Sequence, residues 1–323
     1  MRNVLVTGAT GTVGGALVAR LLGEGVRVRA LVRSAPRAAG LLPPGVAVAV
    51  GDVTDPASVR AAVRGCDTVF HTAGLPEQWL RDPEAFTRVN TDGTRHLVAA
   101  ALAEGVECFV HTSTIDVFER APGRPFDESR LAARPLETPY ERSKQEADRL
   151  VTAAVAEDGL PARTVHPSAV HGPGPAVVTM NNLLDRLRRN QVPMLPPGGM
   201  SVVFSEDVAA GQLLAAAAPV GSRFILSDRY LTMREIAETV AGLFPGVRVP
   251  RTLPGLPAAL LAETGELFSR LTGRPPLLAT GELHFLRSES VADATRARVE
   301  LGWRATPFAD ALARTLAALD LAP

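Results

Sequence analysis

The run Val4-Leu-Val-Thr-Gly-Ala-Thr-Gly-Thr-Val-Gly-Gly15 constrains this chain more than any other stretch. A short apolar strand, Asn3 to Thr7, leads into Gly8, Gly11 and Gly14, and a helical pattern starts at about Thr12. Glycine suits such a turn because the backbone must bend tightly and let a phosphate approach the free N–H groups of a helix start. Strand, glycine turn and helix in that order predict a dinucleotide site at Gly8, Thr10, Gly11, Thr12 and Val13.

The alternation continues. Strand patterns fall at Arg27 to Val32, Val46 to Val50, Thr68 to His71, Glu107 to Thr112 and Ala162 to Val165. Helical patterns lie between them, including a long one from about Pro83 to Ala103 and one over Thr138 to Glu157 that opens with Thr-Pro. Short apolar strands separated by helices predict an α/β fold, a doubly wound parallel sheet of the Rossmann kind. After the breaker cluster His171-Gly-Pro-Gly-Pro175 the patterns are mostly helical, and Arg223 to Leu226 reads as a strand rejoining the sheet. The expected division is a dinucleotide-binding domain over 1–170, with 201–230 returning to it. A smaller, mostly helical substrate lobe is expected from 171–200 and 231–323.

Lys plus Arg equals Asp plus Glu at 34 each, so there is no basic excess of the kind nucleic acid or an anionic membrane calls for. No apolar run is long enough for a membrane span, and the first residues read as a strand, not a signal peptide. Cys66 and Cys108 each sit in or beside an apolar segment, which suits reduced thiols in a cytoplasmic protein without a metal site.

The second strand ends Leu31-Val-Arg-Ser34, and Arg37 follows. An acid at this place would bond the ribose hydroxyl of NAD, whereas Arg suits the 2′-phosphate of NADP. Arg33 therefore favours NADP, with NAD as the other choice; both arginines also read as solvated surface. Asp52, after the third strand, has two compatible readings: an acceptor for the adenine amine, or a cap for the helix that follows.

Tyr140 and Lys144 stand at i and i+4 on a helical pattern and so share a face. The chain has one lysine and two tyrosines, and chance would give this spacing only about once in 150 placements, which guards against a false motif. A compact ammonium can bond ribose hydroxyls and lie beside a phenol at once; a guanidinium fork cannot. Its charge favours phenolate, which equips Tyr140 as general acid in reduction and base in oxidation. Thr112, Ser113 and Thr114 offer hydroxyls where the fifth strand ends.

Taken together these residues resemble the extended short-chain dehydrogenase/reductase family, the NAD-dependent epimerase/dehydratase superfamily. The resemblance spans Thr7 to Gly14, Gly51-Asp52, His71-Thr-Ala-Gly74, Asn90 to Thr94, Thr112-Ser-Thr114, Tyr140 with Lys144, His166 to Gly174, Ser205 to Ala209 and Leu301-Gly-Trp303. Within the family it is most similar to dihydroflavonol-reductase-like and 3β-hydroxysteroid-dehydrogenase-like members. It implies an NAD(P)-dependent oxidoreductase with Thr114, Tyr140 and Lys144 as the catalytic set. It also implies that Asp52, Val53, Thr72, Ala73, Gly74 and Thr112 line the cofactor, with Pro167, Ala169 and Val170 on the nicotinamide. Phe118-Glu119 departs from the Tyr-Gly common in the family. Oligomeric state is left open, with a homodimer through the helices after the fourth and fifth strands as what the resemblance implies.

The sequence suggests a largely apolar substrate wall of Leu75, Pro76, Trp79, Leu80, Ile115, Phe118, His171, Val177, Met180 and Leu183, several of which read equally well as core. A nucleotide-sugar epimerase with the same Tyr, Lys and Thr is the alternative reading, and a non-enzymatic dinucleotide-binding regulator a second. A dehydratase is disfavoured, because Thr114 is followed by Ile115 where those enzymes resemble Thr-Asp-Glu.

Overall fold

The computed structural model describes residues 1–76, 79–121, 124–174, 179–272 and 276–320. The first half alternates as its sequence requires. The elements are β1 (Asn3–Thr7), α1 (Thr12–Gly23), β2 (Arg27–Val32), α2 (Ala35–Ala39), β3 (Ala47–Val50), α3 (Pro56–Val63) and β4 (Thr68–His71), followed by α4 (Glu84–Phe86), α5 (Gly93–Ala103), β5 (Cys108–Thr112), β6 (Pro125–Phe126), α6 (Pro139–Glu157) and β7 (Ala162–Pro167). The later elements are β8 (Ala169–His171), α7 (Thr179–Arg188), β9 (Met194–Leu195), β10 (Gly199–Phe204), α8 (Ser205–Ala216), β11 (Arg223–Leu226), β12 (Arg229–Thr232) and α9 (Met233–Leu243). They continue with β13 (Arg251–Thr252), α10 (Gly255–Thr272), α11 (Thr280–Arg287), β14 (Val291–Ala292), α12 (Thr295–Glu300) and α13 (Phe308–Asp320).

Seven strands form one sheet in the order β11-β7-β5-β4-β1-β2-β3, and every pairing in it is parallel. The chain winds outward from β1 in both directions, so the strand order reverses between β1 and β4, and sheets wound this way take their ligands at the carboxyl ends of the strands there. Thr7 stands beside His71 there, and His71 beside His111.

Both faces are covered, which is why the central strands are apolar without alternation. On one face Leu17, Val18 and Leu21 of α1 and Val208 of α8 pack over Val4, Val6, Phe70 and Phe224. On the other, Val59 of α3, Leu97 of α5 and Val151 of α6 cover Leu5, Val69 and Phe109. Each such side chain contributes roughly 1.5–3 kcal/mol on burial, and Leu17→Ala would cost about 2–5 kcal/mol.

The long helix expected from Pro83 to Ala103 is present but broken by a π-helical segment, Thr87–Asp92. Such a widened turn re-aims the residues it contains. Asn90 lies inside it.

The region after Pro167 is less helical than its sequence suggests. β10 pairs parallel with β8 and antiparallel with β12 in a separate small sheet. All six residues of β10 are buried, which explains its apolar run. Within 201–230, α8 packs against α1 and β11 joins the large sheet, while β10 belongs to the small one. Helix α10 turns Ala258 and Ala262 inward and leaves Leu256, Leu260, Leu267 and Phe268 exposed. Trp303 is buried in the main core, and its indole N–H donates to the Asp207 carbonyl at 2.8 Å. Among the described residues no helix is long and apolar enough to cross a membrane, and no cluster of His, Cys, Asp and Glu could hold a metal ion.

Candidate active site

The glycine turn is shaped by close contacts. Gly8 has φ +68°, and a Cβ on it would lie 2.8 Å from the Ala73 nitrogen; one on Gly14 would lie 2.2 Å from the Gly8 carbonyl oxygen. The first turn of α1 therefore lies directly on the strand end. Its cap, Gly11, has no side chain to satisfy the helix N–H groups, and the buried Thr12 hydroxyl has no partner among the described residues. Unsatisfied donors at a helix start, approached through glycines, fit a pyrophosphate. Thr10 and Val13 are half-buried on the same turn.

The neighbouring loop is tied down by hydrogen bonds. Thr72 Oγ1 donates to the Thr7 carbonyl at 2.6 Å, and the Ala73 N–H to Thr7 Oγ1 at 3.2 Å. Thr94 donates to the Asn90 carbonyl, so it accepts from His71 Nε2 at 3.0 Å. His71 Nδ1 must then accept from Thr7 at 2.8 Å. The ring is neutral, and burial first, then the Lys144 charge, pull its pKa down to about 3. Asn90 accepts from the Leu75 N–H at 2.8 Å and donates to Ser143 Oγ at 3.0 Å. This side chain joins the loop bearing Gly74 to the helix bearing Tyr140.

Helix α6 begins with a capping box. The Glu141 N–H donates to Thr138 Oγ1 at 3.1 Å, and the Thr138 N–H to Glu141 Oε2 at 3.0 Å, with Pro139 in the first turn. The cap fixes where the helix starts, and hence where Tyr140 stands. Tyr140 is half-buried, its ring edge-on to Phe86. Lys144 is buried and donates from Nζ to the Thr112 carbonyl at 2.8 Å, while Gln212 donates to the Thr112 hydroxyl at 2.7 Å. Burial pulls the ammonium down to about 8, and the Asp148 charge works against that shift. Asp148, one turn further along, bonds His166 at 2.9 Å and Arg223 at 2.6 Å. Burial alone would raise its carboxyl; those two partners hold it well below the carboxylate range.

Thr114 caps the turn Ile115–Val117. Its hydroxyl donates to Asp116 Oδ2 at 2.8 Å and accepts from the Asp116 N–H at 3.3 Å. Asp116 Oδ1 accepts from Arg120 at 2.5 Å, and Arg120 reaches Glu141 Oε1 at 2.5 Å. The two carboxylates are 3% exposed and the guanidinium 12%, so the chain of charges is shut away from water. Sequence reasoning missed it, because Glu141 is 21 residues from Arg120 and nothing local marks the pair.

At the outer edge of the crevice Arg33 and Arg37 are exposed, and neither forms an ion pair among the described residues. Asp52 accepts from Thr54 N–H and hydroxyl at 2.9 Å; the cap of α3 is Asp55. Val53 is buried against Gly93. Pro167 is buried, and Ala169 and Val170 are half-buried at the end of β7 and in β8.

Four expected wall residues belong elsewhere. Phe118 is buried against His166 and Phe126 in the main core. Ile115 is enclosed in that same core. His171 lies between Phe204 and Phe308, and its Nδ1 bonds Thr315 at 3.0 Å. In each case apolar or aromatic packing outcompetes exposure to a cavity. Met180 is likewise buried in the core of the second lobe, with Leu183 packed beside it. Trp79 is half-buried, and Val177 lies outside the described residues.

A glycine-cradled crevice beside a paired tyrosine and lysine is the arrangement of a nicotinamide-dependent oxidoreductase, and comparison with known proteins agrees. Residues 4–224 match the NAD dependent epimerase/dehydratase family, and the chain belongs to that family, the extended short-chain dehydrogenases/reductases. It is an NAD(P)-dependent oxidoreductase. It is 33% identical to a putative dihydroflavonol 4-reductase of Synechocystis sp., over 95% of this chain and 92% of that one. It is 31% identical to a 3 beta-hydroxysteroid dehydrogenase/Delta 5-->4-isomerase of Mycobacterium tuberculosis, over 93% and 85%. Among solved structures, gox2253 superposes with a TM-score of 0.85 at 29% identity, covering 99% and 98% of the two chains. UDP-glucose 4-epimerase of Thermotoga maritima superposes at 0.80 with 19% identity, covering 99% of each chain, a likeness of fold alone.

Proposed function

We propose that this chain transfers a hydride between NADP and a carbonyl or secondary alcohol of a largely apolar small molecule. The observation that carries the reading is the fastening of Lys144 to the end of β5 on the helix face it shares with Tyr140. Gly8, Thr10, Gly11, Thr12 and Val13 hold the pyrophosphate; Thr72, Ala73, Gly74 and Thr112 line the middle of the cofactor; Pro167, Ala169 and Val170 pack on the nicotinamide; Asp52 and Val53 lie by the adenine. The nicotinamide, when bound, supplies or accepts the hydride. Tyr140 gives its phenolic proton to the carbonyl oxygen in reduction and takes one in oxidation, and Lys144 stabilises the phenolate. Thr114 presents its hydroxyl oxygen to the substrate. Arg33 and Arg37, exposed and without ion-pair partners among the described residues, suit the 2′-phosphate of NADP.

The apolar substrate class is supported by Leu75 and Pro76, which follow Gly74, by the half-buried Trp79, and by the reductase and dehydrogenase names of the relatives. Ile115 in place of an acid after Thr114 disfavours dehydration. The substrate lobe is assigned to 171–200 and 231–323, the compartment expected is the cytoplasm, and the oligomeric state stays open, with a homodimer as the state the resemblance implies.

A cofactor-consumption screen over apolar ketones, aldehydes and their alcohols tests the reading, with uridine and thymidine diphosphate sugars as the other arm. Turnover of apolar carbonyls, weakened by Trp79→Ala, is expected. Micromolar binding of a sugar nucleotide with no turnover of apolar ketones would overturn it in favour of an epimerase.

A further inference from the structure

The Thr114 hydroxyl has one proton and two lone pairs to offer. Its proton points to Asp116 Oδ2, and one lone pair takes the Asp116 N–H. What remains is a single lone pair, so in this arrangement Thr114 can accept a hydrogen bond but not give one. Asp116 cannot turn away, because Arg120 holds its other oxygen and is itself held by Glu141, the third residue of the Tyr140 helix. Glu141 is fixed in turn by the Thr138 cap. All four charged or capped groups are buried or nearly so, where hydrogen bonds to ions are strong and rearrangement is costly.

We propose that Asp116, clamped by Arg120, is a positioning residue that commits the Thr114 proton and so presents Thr114 to the substrate as an acceptor, favouring the alcohol partner over the carbonyl. The inference rests on the hydride-transfer reading above. In oxidation the alcohol O–H bonds the free lone pair of Thr114 before its proton passes to the Tyr140 phenolate and its C–H hydride passes to the oxidised nicotinamide. Thr114 keeps its own proton throughout. In reduction a carbonyl oxygen meets one donor, Tyr140, and a lone pair on Thr114 that gives it nothing.

Asp116→Asn tests this by reversing the polarity. Arg120 still requires an oxygen, so the carboxamide turns its NH2 toward Thr114, which then receives a hydrogen bond and directs its own proton at the substrate. With the ketone and alcohol pair found by the screen, KM for the ketone should fall and KM for the alcohol rise. Each should change about three- to tenfold, the worth of one hydrogen bond. A merely structural role for Asp116 would raise both, and changes of the same sign overturn the inference while leaving the oxidoreductase reading intact. Thr114→Val keeps the shape and serves where Asp116→Asn fails to fold. It should raise KM for the alcohol more than for the ketone, and the reverse order overturns the assignment. Absence of turnover of any such pair by the unaltered protein removes the proposed function and this inference together.

Discussion

Lys144 Nζ donates to the carbonyl oxygen of Thr112 at 2.8 Å, so the single lysine of the chain is fastened to the last residue of β5. The bond ties α6 to the strand from which Thr114 follows two residues later. Helix and strand thus position the phenol, the ammonium and the hydroxyl as one unit.

The ammonium has a folded-state pKa of about 8 against 10.5 in the open chain, mainly through burial. A reaction that needs it charged should lose kcat/KM as pH rises through about 8. Stability should behave oppositely: between about 8 and 10.5 the unfolded chain binds more protons, so this group's contribution rises with pH there. A pH profile of kcat/KM checks the first point, and one that stays flat to pH 10 would refute it.

Tyr140→Phe should lower turnover by at least about a hundredfold while cofactor affinity stays within twofold, because only the proton donor is lost. Lys144→Ala should weaken both. Cofactor titration by fluorescence beside steady-state rates separates the two; turnover surviving Tyr140→Phe within tenfold would remove the assigned role.

Arg33→Asp should reverse the cofactor preference, weakening NADPH by about tenfold or more and sparing NADH, since an acid repels the 2′-phosphate and suits a ribose hydroxyl. Equal affinities of the unaltered protein for NADH and NADPH would count against the assignment.

Buried histidines should make the fold acid-sensitive. Burial lowers His71 to about 3 and His171 to about 4, and it also lowers His111 and His166. His71 and His171 stay neutral in the fold through the range in which their unfolded counterparts take a proton, near pH 6.5. Stability is therefore fully present above about 6.5 and falls as pH drops toward 4, by up to about 1.4 kcal/mol per pH unit for each ring. Melting temperatures from pH 7.5 to 4.5 should show the decline, and His171→Gln should flatten it.

The parallel strands, the glycine turn and the Tyr–Lys face were legible because each is local: a run of apolar residues, a spacing, a helical period. The strand β10 was harder, since Gly-Met-Ser-Val-Val-Phe is too short to distinguish from a buried helical turn until its partners β8 and β12 are known. The π-helical segment at Thr87–Asp92 has no spacing that marks it, yet it carries Asn90, which joins two halves of the candidate site. Phe118 and His171 followed motifs that end at the crevice, but a one-residue change of direction in an extended segment sends a side chain to the opposite face. The Asp116–Arg120–Glu141 chain exists only once distant segments meet.

Trp303 sits in the same cluster as Val4 and Val6 of β1, joining residues about 300 positions apart in the chain. On the ribosome, β1 emerges long before the indole that closes its layer. Until residues near 303 have left the exit tunnel, that face of the nascent parallel sheet has no complete cover, and its apolar strands are open to mispairing. Yield in the cell should accordingly depend on translation speed and chaperone supply more than the finished fold's packing would suggest.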